Sequence, residues 1–273
     1  MTAPSASGVP AASPSLSSPR FSVWRSRLAG GLVPVVLVLL WFLLARLGAL
    51  PAAQIPSPGE VARAFGEELR TGRLLTDITA SLWRVALGYL LGAGVGIPLG
   101  LLLGLRLGAR AALLPTVNFL RSLSPIPWLP FAVLWFGIGD APVVFLLFLA
   151  VFPPLCLTTA AAVAGVPKVY YRVARDYDVT GIALLTEVVV PAVLPQIITA
   201  LRVAAGTAWV VLVAAEMVAG SGGLGQLIYD ARNGLRMDLN VMAMAVIGTI
   251  GAAIDVLMSR LTRLPSVRWG YER

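Results

Sequence analysis

Histidine does not occur in this chain, cysteine occurs once, at Cys156, and lysine once, at Lys168. Without imidazole there is no Ser/His or Cys/His nucleophile, no histidine proton relay and none of the usual zinc sites. A lone cysteine forms neither an internal disulfide nor a multi-cysteine metal site. Cys156 lies inside an apolar run and reads as a packing residue. Charge is scarce as well: 12% of residues are Asp, Glu, Lys or Arg, about half the share in a soluble domain. No paired central carboxylates appear, so neither catalysis nor a bound cofactor or metal is expected.

What is abundant is apolar. The 273 residues are 58% hydrophobic with a mean hydropathy of +0.86, and the apolar residues fall in runs of about twenty. A helix needs that length to cross roughly 30 Å of hydrocarbon. The net charge of +8 comes from 21 basic residues, all but one of them Arg. Once the apolar runs are set aside, no soluble basic face remains to hold nucleic acid, so the charge reads as the basic excess of cytoplasmic loops. The expectation is an all-α, polytopic protein of the lipid membrane with about six transmembrane helices.

Residues 1–27 read as a disordered cytoplasmic tail, rich in Ser, Ala and Pro up to residue 19. Residues 28–48 hold the first span; its apolar run is too long for a signal peptide. An external linker with an amphipathic helix from Glu60 follows over 49–74. That helix either docks a partner or lies on the membrane or the bundle. The core covers 75–260, with spans at about 81–105, 111–136, 142–164, 194–218 and 239–259, and 261–273 form a second cytoplasmic tail. With both termini inside, twelve basic residues fall in cytoplasmic segments and five in external ones, namely Arg63, Arg70, Arg73, Arg232 and Arg236. That asymmetry satisfies the positive-inside bias and places both termini in the cytoplasm.

Four features carry functional information. Gly88, Gly92, Gly96, Gly100, Gly104 and Gly108 repeat every fourth position, a spacing that lets helix backbones approach closely in lipid. Because four residues overshoot a 3.6-residue turn, the stripe winds around its helix and is expected to meet several neighbours. The third span is interrupted at Pro125, Pro127 and Pro130, around Trp128, and broken backbone at membrane depth belongs beside protein or a water-filled path. Arg121, one turn earlier, reads as the only deep ionisable group, lining a path for an anion or else snorkelling or pairing with a neighbour. Glu216, ahead of the glycine-rich Gly220–Gly225, is read as capping backbone or pairing across the bundle beside an external gate. These glycines match a dinucleotide fingerprint formally, but no strand precedes them.

The fourth feature is the connection at 165–195. Pro167 opens an amphipathic helix from Lys168 to Tyr177, Asp178-Val179-Thr180-Gly181 breaks it, and Pro191 and Pro195 bracket the start of the next span. This segment is larger than a link requires and reads as a docking element. Here the sequence resembles the permease subunits of binding-protein-dependent ABC importers, particularly the sulfonate, taurine and nitrate group. The resemblance rests on Arg172-Val173-Ala174 followed by Asp178, on Val190-Pro191 to Leu194-Pro195, and on Ser124-Pro125-Ile126-Pro127. It rests also on Leu134-Trp135-Phe136-Gly137-Ile138-Gly139, Leu201-Arg202-Val203, Val213 to Met217, and Gly222-Gly223-Leu224-Gly225, and it spans about 75–260.

The resemblance implies a type I ABC importer transmembrane fold and assigns Arg172, Val173, Ala174, Arg175, Asp178 and Gly181 to a coupling helix that enters a cleft on an ATP-binding subunit. It also implies a pair of permeases, here a homodimer, and an extracytoplasmic substrate-binding protein. The expected substrate path takes Arg121, Pro125, Pro127, Trp128 and Glu216. Arg172 stands where the family has Glu, and Asp178 where it has Gly; Asp visits the left-handed region more readily than most residues, and an Arg172–Asp178 attraction is one reading of the exchange. The chain itself lacks the Gly-x-x-x-x-Gly-Lys phosphate loop of an ATPase. The alternative is a self-sufficient secondary transporter or channel, which usually carries several midplane charges on inverted repeats.

Overall fold

The computed structural model describes residues 36, 38–45, 47 and 55–261. The chain divides into two units, Met1–Pro51 and Ala52–Arg273. In the first, residues 38–45 are helical; most of the expected first span, and both expected tails, lie outside the described residues.

The second unit is a helical bundle. α1 (Pro58–Thr71) begins at a capping box, in which the Ser57 side chain accepts from the Glu60 amide and the Glu60 carboxylate from the Ser57 amide. Left-handed Gly72 then turns the chain into α2 (Arg73–Leu105). α3 (Leu107–Ser122), α4 (Leu129–Phe136), α5 (Asp140–Ala164), α6 (Lys168–Asp176), α7 (Gly181–Ala219), α8 (Leu224–Asn233) and α9 (Met237–Leu261) follow. Four of these, α2, α5, α7 and α9, are long and apolar enough to cross a membrane. α2, of 33 residues, and α7, of 39, measure about 50 and 58 Å at 1.5 Å per residue, so both outrun the hydrocarbon layer.

The interruption expected at Pro125, Pro127 and Pro130 divides the span at 111–136: α3 ends at Ser122, Leu123 is extended, and a 3₁₀ turn (Ile126–Trp128) leads into α4. Pro125, Pro127 and Pro130 each remove a backbone donor there, which the helix ladder cannot replace. The span expected to open at 194 begins instead at Gly181. It passes Pro191 by widening into a π-helix over Leu184–Val189, where the Val190 amide reaches back five residues to the Leu185 carbonyl. The wider turn relieves the clash of a proline ring with the carbonyl four residues before it.

The glycine stripe meets one helix rather than several. A Cβ on Gly88, Gly92, Gly96, Gly100 or Gly104 would lie within 3 Å of an atom of α5, whose Leu147, Val151, Leu155, Thr159 and Val163 line the seam; Gly108 meets nothing. These α5 positions also repeat every four residues. Both ridges therefore wind with the same right hand, because a period longer than 3.6 advances that way, and each follows the other along the bundle. Cys156 is fully buried beside Leu103, Val117, Phe152 and Ala160, as its apolar setting predicts. On the other side of α5, Leu146, Leu212, Leu224, Leu227 and Met242 close the main core. The Tyr89 hydroxyl donates to the Leu201 carbonyl at 3.0 Å and the Trp209 indole to that of Ile247 at 3.2 Å, joining α7 to α2 and α9.

Candidate functional site

The two ends of the bundle differ. At one end the chain forms a buried knot of charge. Arg84, 2% exposed on α2, donates through Nη1 to Glu216 at 2.8 Å and to the Gly222 carbonyl at 2.7 Å. Its Nη2 donates to the Ser221 carbonyl at 2.6 Å, and its Nε to Asp140 at 2.7 Å. Glu216 is wholly buried; it also accepts from the Ser81 hydroxyl at 2.9 Å and the Gly225 amide at 3.0 Å. The Leu224 amide donates to Ser81 and the Gly223 amide to Asp77. Four acidic or hydroxylic side chains and one guanidinium thus fix the glycine-rich turn between α7 and α8. Such a pair withstands burial because its donors and acceptors are met. Gly223 is required: at φ 99° its missing Cβ would lie 2.4 Å from Glu216 Oε1.

Glu216 accordingly does both things its sequence context suggests, pairing across the bundle and holding backbone. The buried charge is not Arg121 but Arg84 on α2. Neither it nor the Arg202–Asp255 pair between α7 and α9, with Nη2 to Oδ2 at 2.7 Å, was anticipated in the sequence. A signal for Arg84 existed: it stands four residues before Gly88, on the same close-packed stripe, where a charge must be buried.

At the opposite end, α6 leaves α5 through Gly165. Val163, Val166, Val189, Val193 and Ile197 form a cluster there with Tyr171 beside it, and Ala174 is buried. The other face is open, with Val169 and Tyr170 about half exposed, Val173 likewise, and Tyr177 at 78%, interleaved with exposed Arg172 and Arg175. The helix ends in a Schellman motif: the Val179 amide donates to the Ala174 carbonyl at 2.8 Å and the Asp178 amide to that of Arg175 at 3.0 Å. Asp178 occupies the left-handed position at φ 56°, the glycine role its sequence context assigns it, at a cost of about 1–2 kcal/mol relative to glycine. Gly181, φ 61°, turns the chain into α7. No ion pair joins Arg172 to Asp178 among the described residues, so the attraction open to them in sequence is not made.

Between α5 and α7 lies a cavity of about 420 Å³ lined by Pro154, Thr158, Gln196, Thr199, Val203 and Thr207 among others. Its threonine hydroxyls donate back to carbonyls one turn earlier, Thr158 to Pro154 at 2.7 Å and Thr207 to Val203 at 3.1 Å, so their oxygens remain able to accept. The residues expected along a substrate path are not gathered here. Arg121 is exposed in the last turn of α3, where it complements the helix dipole. Pro125 and Pro127 form the break. Trp128 packs on Phe131 and Trp135 with ring centroids 6.2 and 6.3 Å away, and Glu216 belongs to the knot.

A bundle of long apolar helices, broken at one span and carrying a short amphipathic helix between two others, is the architecture of a polytopic membrane protein. Residues 96–268 match the family of binding-protein-dependent transport system inner membrane components. The chain is 32% identical over 246 residues to the putative aliphatic sulfonates transport permease protein SsuC of Escherichia coli (strain K12), covering 90% of this chain and 93% of that one. It is 32% identical over 233 residues to the taurine transport system permease protein TauC of the same organism, covering 84% and 85%. Among solved structures, a subunit of the MetNI methionine ABC transporter in an inward-facing conformation matches with a TM-score of 0.64 at 20% identity, over 72% of this chain and 97% of that one. The chain belongs to this family of inner membrane components and is a transmembrane permease subunit of an ABC importer, with the type I importer fold. The family works with an ATP-binding subunit and a substrate-binding protein.

Proposed function

We propose that two copies of this chain form the path for a small oxyanion, with α6 docked into the ATP-binding subunit on the cytoplasmic side and the Arg84 knot on the external side. The open face of α6 carries this reading. Val169, Tyr170, Val173 and Tyr177 are exposed beyond a helix that already buries Ala174, and aromatic and arginine side chains on one short helix suit a cleft on a protein partner. The positive-inside count supports the same orientation and puts both termini in the cytoplasm. ATP hydrolysis belongs to the partner subunit.

The cavity face supports the pairing of copies. An amide and three hydroxyls on α5 and α7 are poorly matched to lipid, and small and hydroxyl-bearing residues suit helix association in membranes. The closely matching relatives are named for aliphatic sulfonates and taurine, which share a sulfonate group; nitrate is the third oxyanion to assay. Gln196 supplies amide donors in the cavity.

The test is isolation of the tagged chain in mild detergent, identification of its partners by mass spectrometry, and reconstitution with them. Uptake of taurine, an alkanesulfonate or nitrate that needs both ATP and the binding protein is expected. Solute flux by the chain alone, without ATP, would overturn the reading in favour of a secondary transporter.

A further inference from the structure

α8 ends in a second Schellman motif, made by an unexpected residue. The Arg236 amide donates to the Ala231 carbonyl at 2.8 Å and the Leu235 amide to that of Arg232 at 3.2 Å, so Leu235 holds the left-handed position at φ 54°. A leucine gains nothing there that glycine lacks, since the motif is built from backbone alone. Nor does its side chain pack within the chain, being 81% exposed. A bulky apolar residue that is both strained and solvent-facing is the kind of outlier that marks a functional contact.

The surroundings hold this residue still. Arg84, Ser81, Asp77 and Glu216 fix the turn before α8, Arg73 is bonded to Asp230 on α8 itself, and Arg236 is clasped by Asp238 at 2.7 Å and Glu67 at 3.4 Å. These partners hold the Arg236 guanidinium's pKa above its ordinary value, the Asp238 hydrogen bond foremost. Tyr229, 44% exposed, and Arg232, three residues on, share the outer face of α8. The Arg232 side chain makes no ion pair or hydrogen bond among the described residues. The end opposite α6 therefore presents a rigid apolar knob beside a tyrosine and an uncompensated cation.

We propose that Leu235 is an anchor for the soluble substrate-binding protein, entering an apolar depression on it whose rim offers a carboxylate to Arg232. This rests on the orientation given above, in which the Arg84 end is external. Lipid is the less favoured occupant, because a residue that only touches the membrane surface has no use for a fixed, strained backbone.

The experiment uses the reconstituted importer and the purified binding protein that stimulates its ATPase. Leu235→Gly relaxes the backbone while removing the knob. It is expected to raise the half-saturating concentration of binding protein at least tenfold, with basal ATPase and the rate at saturation unchanged, and Leu235→Met to restore most of the loss. An unaltered half-saturating concentration in Leu235→Gly, or a fall in the saturating rate alone, overturns the proposal. In cells, Leu235→Cys should react with a membrane-impermeant maleimide from outside and be shielded when binding protein is added. Labelling that is external but unshielded, as a lipid contact would give, sinks the anchor and spares the orientation. Labelling only from inside, or an ATPase indifferent to binding protein in the parent, brings down the functional reading itself.

Discussion

Arg84 makes four hydrogen bonds from a side chain 3% exposed, and its loss leaves the buried Glu216 without its cationic partner. Removing one partner of such a pair costs about 3–5 kcal/mol. Arg84→Met should accordingly lower the detergent melting temperature and the yield of assembled complex, while Arg84→Met with Glu216→Leu recovers part of that loss; equal loss in both would show that the pair is not the source. Asp178 offers the opposite case. Glycine at that left-handed position removes about 1–2 kcal/mol of strain, so Asp178→Gly should raise thermal stability, and Asp178→Val lower it, with the Schellman bonds unchanged.

At the scale of elements, α2 and α5 meet through absent side chains. Gly92→Ala places a methyl 2.7 Å from the Val151 Cβ, and overpacking of this kind costs about 1–3 kcal/mol. Gly94, one turn-face away, has nothing within 4 Å; Gly94→Ala is expected to be neutral or to add about 1 kcal/mol from helix propensity. Melting curves of the two variants check the contrast directly. The start of α1 should respond to pH. The amide and hydroxyl of Ser57 hold the Glu60 carboxyl below its ordinary value, so the capping contribution is present above the unfolded carboxylate range and is lost as pH falls through the lowered value. Amide hydrogen exchange in the first turn of α1 should therefore quicken, after correction for intrinsic rates, only in acid; Glu60→Gln should remove that dependence, and Ser57→Ala, which keeps the amide at position 57, should only weaken it.

The whole bundle was largely legible in sequence, and the reasons for the exceptions are physical. Apolar runs of sufficient length marked α2, α5, α7 and α9. The glycine stripe was readable as a close contact, yet not as a contact with one helix, because the matching ridge from Leu147 to Val163 is composed of ordinary apolar residues whose period is hidden among others. The π turn before Pro191 left no composition signal. Glu216 was legible as a backbone holder, whereas its partner lay at the margin of a span and resembled an interfacial arginine. The proposed pairing of two copies is tested at this scale: Val203, 66% exposed on α7, should form an intermolecular disulfide as Val203→Cys on mild oxidation, and Trp83→Cys, 60% exposed on α2, should not. The reverse pattern would place the second copy elsewhere.

α7 begins against the α6 segment and ends at Ala219, one turn past Glu216, without a break in 39 residues. Mechanically it is a connecting rod with one wide joint, the π turn at Leu184–Val189. The cluster beside α6 and the charged knot sit at its two ends, so their rotational phase about the rod is set by the residue count between them. Stiffening the joint, by shortening it one residue to an ordinary α turn, would rotate everything beyond it by about 100°, and the two ends would fall out of phase.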